Sequence, residues 1–179
     1  MRGLSSHASA DRRSGRALRR DLAFGRPGPV AVEPYLTGIA ASLHSSLIGQ
    51  AADIEILMEA QALLIDPDKA VSVGLIVNEL ATNAVKHAFP SGGGRIYLSF
   101  DRRDDDVLLI VRDDGVGHDQ ARNSGVRSGL GSRYVEAFVK QLGATMARAL
   151  GTSGTTMTVK LPLSILVDPI AAPDEAVAP

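Results

Sequence analysis

Three short segments, in a fixed order, constrain the fold of this 179-residue chain more than any other feature. Residues 78–87 read Asn-Glu-Leu-Ala-Thr-Asn-Ala-Val-Lys-His. A strand-like run later ends in Asp-Asp-Gly-Val-Gly at residues 113–117, and Ser-Gly-Leu-Gly-Ser follows at residues 128–132. Alone, each is weak, because the first suits an ordinary helix and the second suits a turn. Together they predict one site made from a helix, a strand end and a helix N-terminus.

The residue types in these segments suit a nucleotide and its metal ion. Glu79 and Asn83 are four residues apart, so on a helix they project from one face, one turn apart. A carboxylate beside an amide oxygen suits a hydrated magnesium ion. Asp113 is an acceptor placed just before glycines, which let the backbone approach a flat ligand. Glycines that lead into a helix leave free N–H groups at its positive end, where phosphate binds.

The composition is that of one globular domain, with 45% hydrophobic and 22% charged residues. The formal net charge of −1 does not favour nucleic acid or an acidic membrane surface as a partner. Cysteine is absent, which excludes disulfides, thiolate catalysis and cysteine-based zinc sites, and which fits a cytoplasmic protein. No stretch approaches the roughly 20 apolar residues needed to cross a bilayer, so we expect no membrane segment in this chain.

Apolar residues at helical spacing predict three helices, over residues 33–48, 67–87 and 130–142. The second is preceded by Asp-Pro-Asp at residues 66–68, a sequence typical of a helix start. We expect its polar side to carry the candidate ligands. Its apolar face is expected to consist of Val71, Leu75, Val77, Leu80, Ala84 and Ala88.

Short β-rich runs between these helices predict a mixed sheet. The first run covers residues 54–58, and a second short run ends at residue 65. Residues 95–101 and 107–113 form a predicted hairpin, and two final strands are predicted at 144–149 and 155–161. The order helix, strands, helix, hairpin, loop, helix, hairpin predicts an α/β (α+β) two-layer sandwich, with a mixed sheet and its helices on one face.

The predicted domain occupies residues 29–163. Residues 1–28 are expected to form a basic, flexible N-terminal arm, because seven Arg stand against two Asp in residues 1–26; a docking arm is the alternative. Residues 164–179 are rich in Ala and Pro, and we expect a disordered tail there.

Residues 78–161 resemble, box by box, the ATP-binding domain of the GHKL superfamily, which includes histidine kinases, gyrase, Hsp90 and MutL. The N box matches residues 78–87, the G1 box 113–117, the G2 box 129–131, and a Gly-Thr pair at 154–155 precedes the last strand. The residues of these motifs are most similar to those of bacterial sensor histidine kinases. Among these, they resemble the sister group of the HWE kinases, since the N-box histidine is present but Trp is absent. The resemblance covers about residues 33–163 and implies a Bergerat-type fold.

The resemblance also implies a role for each matching residue. Asp113 would accept a hydrogen bond from the adenine amino group, Asn83 would bind magnesium, and Glu79 would polarise the attacking group or a metal-bound water. Lys86 and His87 are candidates for phosphate contact. An ordinary structural role is the alternative for each of these five residues. The pocket and its lid would be shaped by Gly115, Gly117, Gly129, Leu130, Gly131 and Thr155, and Arg122, Arg127 and Arg133 are candidates for neutralising γ-phosphate charge.

The implied function is an ATP- and Mg²⁺-dependent histidine kinase of a two-component system, with a response regulator or a histidine phosphotransfer or acceptor domain as its partner. His7 and His44 both lack the surroundings of a phosphoacceptor histidine. We therefore expect the acceptor on a partner or on a missing segment. The alternatives are an anti-sigma-factor serine kinase of the same fold and a nucleotide-independent phosphotransfer or docking module.

Overall fold

The computed structural model describes residues 28–48, 53–90, 92–117 and 130–168. Three α-helices lie in these ranges, close to where apolar spacing predicts them: α1 (Val32–Leu43), α2 (Pro67–His87) and α3 (Leu130–Gln141). A π-helical segment, His44–Ile48, continues α1 to the predicted end of the first helix. The strands are β1 (Val30–Ala31), β2 (Ile54–Ala60), β3 (Leu64–Ile65), β4 (Gly94–Arg103), β5 (Asp106–Asp113), β6 (Thr145–Leu150) and β7 (Thr155–Pro162).

The main sheet has five strands in the order β2-β4-β5-β7-β6. Strands β2 and β4 are parallel, which requires a crossover, and α2 supplies it. The other neighbouring pairs are antiparallel. Strands β1 and β3 form a separate two-stranded ribbon beside the start of α2. The predicted mixed sheet with helices is therefore confirmed.

One face of this sheet forms the core. Side chains alternate along each strand, so every second residue points to the same face. On β4 these residues are Ile96, Leu98 and Phe100, which are at most 2% exposed. They stand opposite buried residues of β5, as in the pair Phe100 and Leu109. Buried residues of all three helices belong to the same apolar cluster, so the helices cover this one face.

Helix α2 begins as predicted, and four of the six residues expected on its apolar face are buried, namely Val77, Leu80, Ala84 and Ala88, whereas the other two are not. Asp66 caps its N-terminus by accepting a hydrogen bond from the backbone N–H of Asp68 at 2.9 Å. Val71 and Leu75, expected in the core, are 60% and 40% exposed. Helical residues advance about 100° each, so Val71 lies nearly opposite the buried Val73. The buried side chains of α2 are Ala70, Ser72, Val73, Ile76, Val77, Leu80, Ala81 and Ala84.

The expected tail begins later than residue 164. Leu163–Ile165 forms a 3-10 helix, and Ile165 is 1% exposed because it packs into the core cluster. Leu166 then forms a β-bridge with Ile65. The expectation of disorder is therefore wrong for residues 164–168, while residues 169–179 and the arm at 1–27 lie outside the described part. No helix in the described ranges is long and apolar enough to cross a membrane.

Candidate functional site

Asp113 ends β5 and is the buried carboxylate of the site, with 6% of its surface exposed. Strand alternation turns its side chain toward the helices, on the same face as the buried Val111. Its Oδ1 accepts hydrogen bonds from the backbone N–H groups of Gly115 and Thr155, both at 3.1 Å. Both bonds go to one oxygen, and no hydrogen bond from the described residues reaches Oδ2, which can therefore act as an acceptor for a ligand.

Burial raises the pKa of Asp113 above its ordinary value of 3.8, while the hydrogen bonds from Gly115 and Thr155 lower it and only partly offset the burial. The negative charge of Asp114 also raises this pKa, and the positive charge of Arg148 lowers it. A buried carboxylate whose pKa is raised gains most from an additional hydrogen-bond donor. The site therefore favours a ligand that presents an N–H group to Asp113.

Glycines let three backbone segments meet around this carboxylate. A Cβ atom on Gly115 would overlap the carbonyl of Ala88, just after α2, and one on Gly117 would overlap the carbonyl of Gly151 in the β6–β7 turn. Gly154 has a φ of +91°, and a Cβ there would overlap the carbonyl of Asp113. Side chains at these positions would push the segments apart, so the glycines keep the three segments closely packed around Asp113.

Two backbone contacts hold the same segments in place. The N–H of Val116 donates to the carbonyl of Ala88 at 2.8 Å. Val116 also forms a β-bridge with Ser153 in the β6–β7 turn. The sequence assigned no role to Ala88 beyond the apolar face of its helix, and no sequence signal points to its carbonyl, because that contact depends on tertiary packing.

The N-box residues form a second wall. Glu79 and Asn83 are both half-buried on α2, one turn apart as predicted. Glu79 faces the first turn of α3, since a Cβ on Gly131 would lie 2.5 Å from Glu79 Oε2. Lys86 and His87 are exposed in the last turn of α2, where the lysine cation interacts favourably with the helix dipole. An ordinary structural role is therefore the alternative to phosphate contact for these residues.

Some of the other residues predicted for the site lie in the described ranges, and some lie outside them. Thr155 contributes its backbone N–H to Asp113. Arg133 is exposed on α3. Leu130 starts α3, but its side chain lies outside the described structure. Gly129, Arg122 and Arg127 lie in the undescribed stretch 118–129.

A magnesium ion fits the donors on α2. Within the described ranges, no group of three or more His, Cys, Asp or Glu residues could form an all-protein metal cage. Magnesium instead commonly takes one or two protein oxygens and completes its shell with phosphate oxygens and water. The carboxylate of Glu79 and the amide oxygen of Asn83 are donors of this kind.

Comparison with known proteins gives histidine kinases in both sequence and structure, and anti-sigma factors in sequence. The chain is 32% identical over 132 residues to blue-light-activated histidine kinase 2 of Erythrobacter litoralis, which covers 73% of this chain and 38% of the relative. The chain therefore spans well under half of that kinase. It is also 31% identical over 102 residues to the anti-sigma F factor of Bacillus licheniformis, over 50% of this chain and 70% of the relative.

Solved structures agree with the fold. The histidine kinase domain of the Erythrobacter litoralis EL346 blue-light activated histidine kinase matches with a TM-score of 0.68 at 28% identity, over 80% of this chain and 72% of that one. Acinetobacter baumannii histidine kinase AdeS matches with a TM-score of 0.61 at 15% identity, over 82% of this chain and 72% of that one, which supports the fold alone.

The family assignment follows from a match over more than half of the chain. Residues 68–165, from the start of α2 to the 3-10 helix after β7, match the profile of the histidine kinase-, DNA gyrase B- and HSP90-like ATPases. That range contains the buried Asp113, its glycines and the N-box wall. The chain therefore belongs to the histidine kinase-, DNA gyrase B- and HSP90-like ATPase family, and it contains an ATP-binding domain of the histidine kinase type.

Proposed function

We propose that this domain binds ATP with Mg²⁺ and transfers the γ-phosphoryl group to a histidine on a partner protein or on a further segment of a longer kinase. The observation that carries the proposal is the buried Asp113 carboxylate. Its Oδ1 is held by two backbone N–H groups, and within the described ranges no hydrogen bond reaches its Oδ2, which would accept one from a ligand. The adenine exocyclic amino group is a donor of the required kind.

Each part of the site then has one task. Asp113 orients the base, and the absence of side chains at Gly115 and Gly117 lets the backbone that follows Asp113 pack against Ala88 and Gly151. The first turn of α3 lies on the far side of Glu79, where its free N–H groups attract phosphate oxygens. Asn83 would hold magnesium, which supplies charge neutralisation on the phosphates.

Glu79 also has a task at the attacking group. A neutral imidazole attacks the γ-phosphorus through one nitrogen, and the bond from phosphorus to the ADP oxygen breaks. The proton on the other imidazole nitrogen is held by a carboxylate acceptor, which Glu79 supplies. This role requires the acceptor histidine to approach α2 from outside the described domain, so an acceptor domain or a histidine phosphotransfer protein is the expected substrate, followed by a response regulator.

The test uses ATP labelled at the γ-phosphate, the purified protein and an extract of the cells that produce it. We expect a labelled protein that depends on the added wild-type chain, with a label that is lost in acid and kept in base, as phosphohistidine requires. The Asp113→Asn protein is the matched control and should yield much less label. A label that is absent, or equal with both proteins, would contradict the proposal.

The anti-sigma-factor serine kinase is the second candidate, favoured by the 31% identity to the anti-sigma F factor of Bacillus licheniformis over half of this chain. It uses the same ATP site but a hydroxyl acceptor. Label that survives acid would support this candidate and reject the histidine kinase. A nucleotide-independent docking module, the third interpretation, requires wild-type protein that does not bind ATP.

A further inference from the structure

Helices α1 and α2 form an apolar groove on the surface of the domain. Its walls are Tyr35, Ile39 and Ser42 of α1 and Val71, Leu75 and Asn78 of α2. Val71 and Leu75 are 60% and 40% exposed, and they are two of the five exposed large apolar side chains in the described ranges. Exposed apolar side chains that lie together in this way are typical of an interaction surface.

The groove is shaped by a fixed contact between the two helices. The Tyr35 hydroxyl donates a hydrogen bond to the carbonyl of Ala70 at 2.9 Å, which holds the ring against α2. A Cβ atom on Gly74 would overlap that hydroxyl, so the absence of a side chain at Gly74 admits the ring. The groove between the helices therefore has a defined floor.

The N-terminal part of the chain reaches the domain at one end of this groove. Val30 pairs with Ile65, two residues before α2 begins, and α1 begins at Val32. Tyr35 in the first turn of α1 and Val71 in the second turn of α2 are therefore close to this point. The four steps from residue 24 to residue 28 span up to about 13 Å, so the segment that ends at residue 24 is within reach of the groove.

The sequence of that segment matches the groove. Residues 16–24 read Arg-Ala-Leu-Arg-Arg-Asp-Leu-Ala-Phe. Leu18 and Leu22 are four residues apart, which is also the spacing of Val71 and Leu75 on α2, so on a helix each pair shares one face. Gly-Arg-Pro-Gly-Pro follows at residues 25–29, a composition that favours the chain reversal needed to bring the segment back onto the groove.

The charges are complementary as well. Residues 16–24 hold three Arg against one Asp. At the end of the groove where the chain arrives, the first turns of the helices carry the acids Glu33 and Asp68, and Asp66 caps α2, whereas Lys69 is the basic residue there. A positive segment therefore meets a surface with more negative than positive side chains.

We propose that residues 16–24 of this chain dock in the groove between α1 and α2, with Leu18 and Leu22 against Val71 and Leu75. The docked segment covers the exposed apolar side chains of α2 and brings its arginines to the acidic end of the groove. The other end of the groove is Asn78, the residue before Glu79, so the segment lies beside the N-box wall. The inference does not rest on the proposed function, because the contact needs no nucleotide.

The chain has no cysteine, so an engineered thiol pair reports on this contact without background. The test measures disulfide formation between Leu22→Cys and Leu75→Cys in glutathione buffers, without nucleotide, and converts it into the effective concentration of one thiol at the other. A flexible tether alone gives a millimolar value. A docked segment holds the two thiols at disulfide distance, and we expect a value at least about tenfold above that of a control pair.

Leu22→Cys with Leu57→Cys is the matched control pair, because Leu57 is 38% exposed, much like Leu75, but lies on β2 outside the groove. Neither exposed position takes part in the core, so both proteins should fold. Adding Leu18→Asp should lower the first pair to the value of the control pair, whereas Leu4→Asp, the same change elsewhere in the N-terminal arm, should not.

Equal effective concentrations for the two pairs would overturn the inference, as would a value that Leu18→Asp leaves unchanged. Disulfide-linked dimers that replace the intramolecular bond as the protein concentration rises would also overturn it, because a second copy would then fill the groove. A failure of ATP binding would leave these results unaffected, so the inference and the proposed function are tested separately.

Discussion

Replacing Asp113 by Asn changes the ligand-facing side of the carboxylate and little else. The amide oxygen can stay in the place of Oδ1, where it accepts from the N–H groups of Gly115 and Thr155 at 3.1 Å. The amide NH₂ then takes the place of Oδ2. A donor consequently faces the adenine amino group, which is also a donor, and the hydrogen bond to the base is lost.

The expected loss of affinity follows from that one bond. A hydrogen bond to a charged group contributes about 1.5–3 kcal/mol. Since about 1.4 kcal/mol corresponds to a factor of ten, ATP should bind Asp113→Asn about ten- to a hundredfold more weakly. The fold should not suffer, because the substitution also removes a buried charge whose desolvation raises the pKa of Asp113. We expect an unfolding midpoint equal to or above that of the wild type.

The assay is isothermal titration calorimetry with ATP, accompanied by thermal unfolding at neutral pH. Asp114→Asn is the matched control. Asp114 is exposed, and its Oδ1 accepts from the N–H of Arg95 at 2.6 Å, so it holds the neighbouring strand end and does not face the base. Wild-type affinity in Asp113→Asn, or an equal loss of affinity in Asp114→Asn, would refute the reasoning.

Three further results follow from the structure. Because the pKa of Asp113 is raised above 3.8, the fold favours the protonated side chain. The stability that Asp113 contributes is therefore fully present below pH 3.8 and is lost as pH rises through the raised pKa. Adenosine binding, which needs the ionised acceptor, should weaken as pH falls through the same pKa, and a pH-independent affinity in calorimetry would contradict this. Gly115→Ala should lower the free energy of unfolding by about 1–3 kcal/mol in urea titrations, because the added methyl group overlaps the backbone of Ala88. Gly38→Ala on α1 is the control and should not destabilise the protein, because an added Cβ there meets nothing within 4 Å. Equal effects of the two substitutions would contradict the packing argument. Asp66→Ala should cost about 0.5–2 kcal/mol by removing the cap of α2, as measured by thermal unfolding, and an unchanged stability would show that the cap contributes nothing.

The sequence predicts the elements of this fold well because each has a strong local signal. The Asp-Pro-Asp sequence before α2 gives its start to the residue, since an aspartate cap and a proline in the first turn act locally. The alternating pattern of β4 and β5 gives the hairpin, and the structure shortens its turn by extending the strands to Arg103 and Asp106, with Asp104 at a φ of 47°. Neither feature depends on distant residues.

The parts that sequence reasoning missed depend on tertiary packing. Val71 and Leu75 are as apolar as the core residues of α2, but they lie outside the core cluster, which takes in other positions of the helix. They border a surface groove with Tyr35 and Ile39 of α1. Ile165 is a second case, because its burial depends on contact with the core rather than on the Ala- and Pro-rich composition around it.

The candidate site shows the same division. The sequence motifs predict Asp113 and its glycines as site residues, and the structure adds that both backbone hydrogen bonds reach one carboxylate oxygen of Asp113. The contact between Glu79 and the start of α3 joins residues 52 positions apart, from Glu79 to Gly131, so no spacing rule predicts it. The subgroup assignment beside the HWE kinases and the roles of the candidate site residues stay predictions.

The measurement that tests the central claim most directly is a titration of the wild-type protein with ATP and with GTP in the presence of magnesium. Guanine presents a carbonyl oxygen where adenine presents its amino group, so it would place an acceptor against the Asp113 carboxylate. We predict saturable binding of one ATP per chain and at least tenfold weaker binding of GTP. Absence of ATP binding, or equal affinity for both nucleotides, would contradict an adenine site built on Asp113.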